Sequence, residues 1–245
     1  MKRELASMSE NKVASPVEAT SVPPHTNVIG TRRVFAVKPD GRFKARLVAQ
    51  GYRCRFRRPD GDVSSPVCHG ESQKPLLAIV NNFGWHLEQL DFATAYLQAE
   101  LDRESLVKQP PGSQEVSKET SKPYVWRIAI SLYGLATSAK AWNQTIGQAL
   151  KEMEWTATAS NPRLYQRGQG ERYALLVLYV DDCLITSKTK EKLEQIKKEL
   201  DGRFNIKQLG PASNFLGLKI ERSEGLGTLC IVKTKYVQEF WSTLA

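Results

Sequence analysis

The stretch Tyr173-Ala-Leu-Leu-Val-Leu-Tyr179-Val180-Asp181-Asp182-Cys183-Leu-Ile-Thr186 decides how this chain reads. A mostly apolar run leads into two adjacent carboxylates, and Cys183, Leu184 and Ile185 follow at once. A bounded apolar run rich in Val, Leu and Tyr predicts a buried strand. With Asp181-Asp182 at the reversal, the expected pattern is strand, two-residue turn, strand. Asp is a good turn residue, so an ordinary hairpin is the bland account. Against it, both flanks read as buried, and no cation stands beside the pair in sequence. Charges held near a core are normally paired or bind a metal. The pair therefore points to a magnesium site and calls for a third carboxylate from elsewhere.

The 245 residues suffice for one large domain or two small ones with a core. Charged residues make up 25% and hydrophobic ones 41%, an ordinary globular balance. There is no run of about 18 apolar residues, so no membrane-spanning helix is expected. Met1-Lys-Arg-Glu-Leu5 lacks the apolar core of a signal peptide. A net charge of +9 favours a polyanionic partner. Cys54, Cys68, Cys183 and Cys230 show no C-x-x-C spacing, and Cys68-His69 has only Cys54 upstream. Free thiols in a reducing compartment are expected rather than a zinc site.

Taken in order, residues 2–12 read as a short amphipathic helix with Leu5, Met8 and Val13 on one side, and 14–27 as an extended connector. Arg33 to Lys38, Pro39-Asp40-Gly41 and Arg42 to Ala49 read as a β-hairpin. Alternation along the second strand places Phe43, Ala45, Leu47 and Ala49 on one face and Lys44 and Arg46 on the other. Those two cations suit a triphosphate, or are simply a solvated strand face. Arg53, Arg55, Arg57 and Arg58 form a basic cluster, either exposed or tracking a phosphate backbone. Residues 72–83 read as a helix with Pro75 in its first turn. An extended stretch from Trp85 ends in Asp91, ahead of a helix-compatible Ala93-Thr-Ala-Tyr-Leu97. Asp91 is either a helix cap or the third carboxylate. Residues 105–123 read as a Pro/Gly/Ser-rich loop, 125–132 as a strand, and 138–153 as a helix with Trp142, Ile146, Leu150 and Met153 inward. Thr189 is expected to cap a helix that buries Leu193, Ile196 and Leu200 and leaves its lysines in solvent.

These stretches, in this order, closely resemble the reverse transcriptase of copia-type LTR retrotransposons. The resemblance rests on Lys44-Ala-Arg-Leu-Val-Ala-Gln-Gly51, Ser65-Pro-Val67, Leu90-Asp-Phe-Ala-Thr-Ala-Tyr-Leu97 and Gln109-Pro-Pro-Gly112. It continues through Ser131-Leu-Tyr-Gly-Leu135, Ala141-Trp142, Leu164-Tyr165, Tyr179-Val-Asp-Asp182 and Phe215-Leu-Gly217, covering nearly everything from about residue 4 onward. It implies an α+β right-hand polymerase core with an antiparallel palm sheet packed on helices and the thumb largely absent. Residues 1–28 would be an N-terminal helix and connector, and 29–245 the fingers and palm. Within the latter, fingers at 29–84 and 105–135 would interleave with palm at 85–104 and 136–222, and 223–245 would begin the thumb or connection.

The implied chemistry is RNA-directed DNA synthesis by two-metal phosphoryl transfer. By the resemblance, Asp91 and Asp181 would bridge two Mg2+ (or Mn2+) ions, the Phe92 carbonyl would be a further ligand, and Asp182 would support the site. Tyr96 would lie under the sugar and reject a ribose 2′-hydroxyl, while Lys44 and Arg46 would grip the triphosphate. Phe215, Leu216 and Gly217, with Tyr179, would contact primer and template, and Lys207 is a lesser candidate as general acid toward pyrophosphate. Expected partners are an RNA template, RNA/DNA or DNA duplex and dNTP, with integrase and RNase H domains if the chain is part of a polyprotein. The setting would be intracellular: cytoplasmic, in virus-like particles, or nuclear.

The chain also departs from the family. After its Tyr-Gly-Leu the family continues Lys-Gln-Ala-Pro-Arg; here Ala136-Thr-Ser-Ala-Lys140 follows, without the glutamine expected at the incoming nucleotide. Arg33 replaces a tryptophan, and Asp60-Gly-Asp-Val-Ser64 replaces an acidic, aromatic approach to Ser65-Pro-Val67. The family's thumb and RNase H domain would follow where this sequence ends. Two readings stand at this point: a polymerase core, or a catalytically inactive remnant that binds nucleic acid through its basic face.

Overall fold

A computed structural model describes residues 2–38, 41–54, 73–223, 227–233, 237 and 241. In chain order the elements are α1 (Lys2–Glu10), β1 (Ala14–Glu18), β2 (Val28–Ile29), β3 (Thr31–Val37), β4 (Phe43–Ala49), α2 (Gln73–Phe83), β5 (His86–Phe92), β6 (Glu100–Lys108), β7 (Tyr124–Ile130) and α3 (Ser138–Glu152). They continue with β8 (Thr156–Thr158), β9 (Asn161–Arg167), β10 (Ala174–Tyr179), β11 (Asp182–Ser187), α4 (Lys190–Asp201), β12 (Ile206–Pro211), β13 (Asn214–Phe215), β14 (Leu218–Ser223) and β15 (Thr228–Val232). The chain is α+β. It divides into two compact units, Met1–Ser65 with Thr94–Gly147, and Pro66–Ala93 with Gln148–Ala245. Pro39-Asp40, Arg55 to Arg58, Asp60 to Val67 and Cys68-His69 lie outside the described residues.

In the first unit a four-stranded sheet has the order β1-β7-β6-β2, and β3–β4 form a separate hairpin. Helix α1 sends Leu5 and Met8 into the core, and its Glu4 carboxylate accepts the Leu47 amide at 3.3 Å. Part of the expected 14–27 connector is strand β1, whose Pro16 is tolerated because β1 is an edge strand. The expected 105–123 loop begins later than predicted, because β6 runs to Lys108. Its Glu-Leu-Asp-Arg-Glu sequence lacks strand alternation, and a register shift between Glu100 and Ser105 disturbs its pairing with β7. The loop that follows is organised by Gln109, only 5% exposed. Its side-chain amide donates to the carbonyls of Glu115 (2.9 Å) and Tyr124 (2.8 Å) and accepts the Glu115 amide (2.8 Å). Strand β4 is buried at Leu47 and Ala49, while Phe43 at its outer end is 91% exposed.

The second unit is built on an antiparallel six-stranded sheet of order β12-β5-β11-β10-β9-β8. β10 and β11 occupy its centre, which explains why they read as continuous apolar runs rather than alternating ones. Leu76, Leu77 and Val80 of α2 cluster with Leu87, Val177 and Leu184 of the sheet and with Phe215 and Ile220. The short β8 and the longer β9 gave no strand signal, since Asn161-Pro-Arg-Leu-Tyr-Gln-Arg167 is largely polar.

Helix α4 is capped as expected, Thr189 Oγ1 accepting the Lys192 amide at 3.3 Å. Its lysines are not all solvated, however. Lys197 is 6% exposed and its ammonium donates to Glu88 on β5 and to Glu194, both at 2.7 Å. Burial opposes its charge, but the bonds to Glu194 and Glu88 outweigh that and hold its pKa above the ordinary lysine value. The clamp is therefore fully present at neutral pH and is lost only as pH rises through that elevated pKa. Removing the cation strands Glu88 in a partly buried position, so Lys197→Ala is expected to lower stability by about 3 kcal/mol, read as a fall in the urea midpoint at unchanged m. An unchanged midpoint would mean that the clamp is not structural.

Candidate active site

The β10–β11 hairpin closes at Tyr179 opposite Asp182, which leaves Val180 and Asp181 as its two turn residues. The sequence expectation of an Asp181-Asp182 turn is thus displaced by one residue, and Asp182 opens β11. Val180 has φ 55° and Asp181 is not among the positive-φ residues, the pattern of a II′ turn, which normally takes glycine first. A β-branched residue there is strained. The surroundings hold it: the Phe92 amide at the end of β5 donates to the Asp181 carbonyl at 2.8 Å.

Pairing of β5 with β11 sets Asp91 directly opposite Asp182, and pairing of β5 with β12 sets Lys207 on Asp91's other side. Residues opposite one another share a face, so Tyr179, Asp182, Asp91 and Lys207 project from the same side of the sheet. Like charges directly opposite are destabilising and call for a cation. Lys207 supplies one, its Nζ 3.4 Å from Asp91 Oδ2. With Lys207 64% and Asp91 27% exposed, this long ion pair is weak, on the order of 1 kcal/mol or less. It is readily displaced. On the opposite face Cys183 is fully buried, and burial followed by the neighbouring Asp182 charge pushes its thiol far above the usual range. It is no nucleophile.

Among the described residues no three His, Cys, Asp or Glu side chains are gathered into a ready-made metal cage. The donor set nevertheless fits magnesium in kind. That ion keeps several waters and is bound through one or two carboxylates together with substrate phosphates, not by an all-protein cage. Asp91 and Asp182, opposed across adjacent strands beside Asp181 in the turn, are such a set.

In the first unit, Arg46 and Tyr96 meet on a residue the sequence reading had not singled out. The Arg46 guanidinium carbon lies 4.6 Å from the centroid of the Tyr133 ring, and the Tyr96 ring meets the same ring in a T-shaped contact at 5.2 Å and 66°. Lys44 shares the Arg46 face of β4, opposite Ala36 of β3. Tyr133 is put there by two glycines. The Ala49 amide donates to the Tyr133 carbonyl at 2.7 Å, and the Gly51 amide to the Gly134 carbonyl at 3.2 Å. A Cβ on Gly51 would strike the Gly134 carbonyl oxygen, and one on Gly134, at φ +84°, would strike that of Ala49. Only paired glycines permit this approach. Tyr96 itself sits in a short 3₁₀ segment, Ala95–Gln98, rather than in an α-helix. Thr94, with φ 51°, precedes that segment, so Asp91 is not a helix cap.

Phe215, Leu216 and Gly217 form the β13–β14 hairpin. Phe215 pairs with Leu218, and Leu216 (φ 49°) and Gly217 (φ 78°) make a two-residue turn of I′ type. The Phe215 ring is 1% exposed in the second unit's core, so this hairpin presents Leu216 and Gly217 at its tip.

A family model described as reverse transcriptase (RNA-dependent DNA polymerase) matches residues 16–243. The chain is 32% identical over 244 residues to the retrovirus-related Pol polyprotein from transposon TNT 1-94 of Nicotiana tabacum, covering 97% of this chain and 18% of that protein. It is 31% identical over 205 residues to the corresponding polyprotein from transposon RE1 of Arabidopsis thaliana, covering 82% and 14%. Against the putative transposon Ty5-1 protein of Saccharomyces cerevisiae it is 32% identical over 134 residues, covering 55% and 42%. The chain thus spans a minor part of each Pol polyprotein.

The strain at the carboxylate turn has a measurable consequence. Val180→Gly should raise unfolding stability by about 1 kcal/mol by relieving the left-handed conformation. A lower urea midpoint would instead show that the Val180 side chain contributes more than its backbone costs.

Proposed function

This chain belongs to the reverse transcriptase (RNA-dependent DNA polymerase) family, as the reverse transcriptase domain of a copia-type Pol polyprotein, and from that premise we propose that it adds dNTPs to a primer 3′-hydroxyl on an RNA template by two-metal phosphoryl transfer. The observation that carries the proposal is the opposition of Asp91 and Asp182 across β5 and β11, with Asp181 tied to the end of β5 through Phe92. In this reading the palm, 85–104 and 136–222, falls mainly in the second unit, and the fingers, 29–84 and 105–135, mainly in the first.

Asp91 and Asp181 hold magnesium or manganese, with the Phe92 carbonyl as a further ligand and Asp182 in support. When bound, the metal pair lowers the pKa of the primer hydroxyl and stabilises the attacking and leaving oxygens of the in-line displacement. Lys207, already drawn to Asp91, exchanges that partner for the substrate's phosphates. Lys44 and Arg46 bind the triphosphate as fixed positive charges. Tyr96 excludes a 2′-hydroxyl by bulk, and the Leu216-Gly217 turn and Tyr179 orient the primer end. RNA template, RNA/DNA or DNA duplex and dNTP are the partners, and integrase and RNase H domains would be neighbours within a Pol polyprotein.

A second reading, nucleic-acid binding without catalysis, is favoured by Ala136, Thr137 and Ala139 where the family carries Lys, Gln and Pro. Primer extension on an RNA template annealed to a DNA primer, with Mg2+ and Mn2+ tested separately, separates the two. We expect extension in the unsubstituted chain and a loss of at least about a thousandfold in Asp181→Asn. Salt-sensitive template binding with no extension in either chain would establish the non-catalytic reading.

A further inference from the structure

We infer that Tyr133 is a positioning residue that couples the triphosphate grip to sugar selection. The inference deepens the polymerase reading and rests on it for the roles of Arg46 and Tyr96. One ring touches both side chains: its face lies 4.6 Å from the Arg46 guanidinium carbon, and Tyr96 packs against it edge-to-face at 5.2 Å. Arginine has a long side chain with many rotamers, and stacking on an aromatic face removes most of that freedom while leaving N–H donors available for phosphate. An edge-to-face pair likewise fixes the ring plane of Tyr96, and a steric gate excludes a hydroxyl only while its ring stays in place.

Tyr133 is poorly explained as core. Its neighbours Leu132 (0% exposed) and Leu135 (5%) belong to the first unit's hydrophobic cluster, whereas Tyr133, between them in sequence, is only half-buried and outside that cluster. Its backbone is held on its C-terminal side by two consecutive carbonyls, its own accepting the Ala49 amide and that of Gly134 accepting the Gly51 amide. The Gly51–Gly134 approach therefore delivers one aromatic ring to the two residues that would touch the incoming nucleotide.

The test compares the unsubstituted chain with Tyr133→Ala, Tyr133→Phe and Tyr133→Leu in dNTP and rNTP incorporation on RNA template with DNA primer. Alongside, calorimetric titration of dNTP with Mg2+ into each chain without primer reads the grip alone. Tyr133→Ala should raise the dNTP KM roughly three- to tenfold with a smaller change in kcat, and lower dNTP-over-rNTP discrimination by a similar factor. Tyr133→Phe, which keeps the ring, should restore both to within about twofold. Tyr133→Leu keeps bulk without the ring and replaces the alanine variant if that chain fails to fold. A ring-less variant with unchanged KM, discrimination and dNTP affinity overturns the inference. Ring-dependent dNTP binding in a chain that does not extend primers upholds the brace and removes the polymerase reading. A chain that neither binds nor extends overturns both.

Discussion

Two carboxylates set opposite one another on neighbouring strands repel, and the second unit is arranged so that they cannot avoid each other. Asp91 faces Asp182 because β5 and β11 pair in one register, with Leu90 opposite Cys183 and Gln89 opposite Leu184. Cys183, Leu184 and Ile185 are fully buried, and each such side chain is worth about 1.5–3 kcal/mol of burial. A slip by one residue would turn all of them to the wrong face. The like-charge penalty between two partly solvated carboxylates is smaller than that, so the core wins and the charges stay opposed. The unfavourable pair is then relieved by a cation: Lys207 in the free chain, and in the proposed function a divalent metal. The same logic explains the strained Val180. A hairpin anchored by buried strands on both arms, with its turn carbonyl bonded to Phe92, holds one residue in a left-handed conformation it would not choose.

Much of this was legible in the sequence because the decisive residues advertise themselves locally. The apolar run from Ala174 to Tyr179 and the strand ending at Asp91–Phe92 announce buried strands, and Thr189 announces the start of α4. The face of β4 that carries Lys44 and Arg46 follows from alternation alone. What escaped was set by partners distant in sequence. Polar β6 is a strand only because β7 and β2 flank it, and Pro16 lies in a strand only because that strand is an edge. The turn moved from Asp181-Asp182 to Val180-Asp181 because the pairing of Tyr179 with Asp182 outweighs the preference of valine against positive φ.

The candidate site shows the same division. Asp91, Asp181 and Asp182 could be named from sequence, but Lys207 beside Asp91 and Lys197 beneath Glu88 depend on which strands and helices meet. Tyr133 was visible as part of Ser131-Leu-Tyr-Gly-Leu135, yet nothing local tells that its ring lies against Arg46 and Tyr96. The available signal was the pair of glycines, Gly51 and Gly134, whose missing side chains mark a close backbone approach.

In the proposed function Asp91 is a metal ligand, with Asp181 beside it and Asp182 in support, and Lys207 neutralises it until the metal arrives. Manganese binding followed by the EPR signal of the free ion, in the unsubstituted chain, Asp91→Asn and Lys207→Ala, tests it most directly. Binding should be saturable, weaken at least about tenfold in Asp91→Asn, and tighten in Lys207→Ala, where the competing cation is gone. Equal binding by the unsubstituted and Asp91→Asn chains would contradict it.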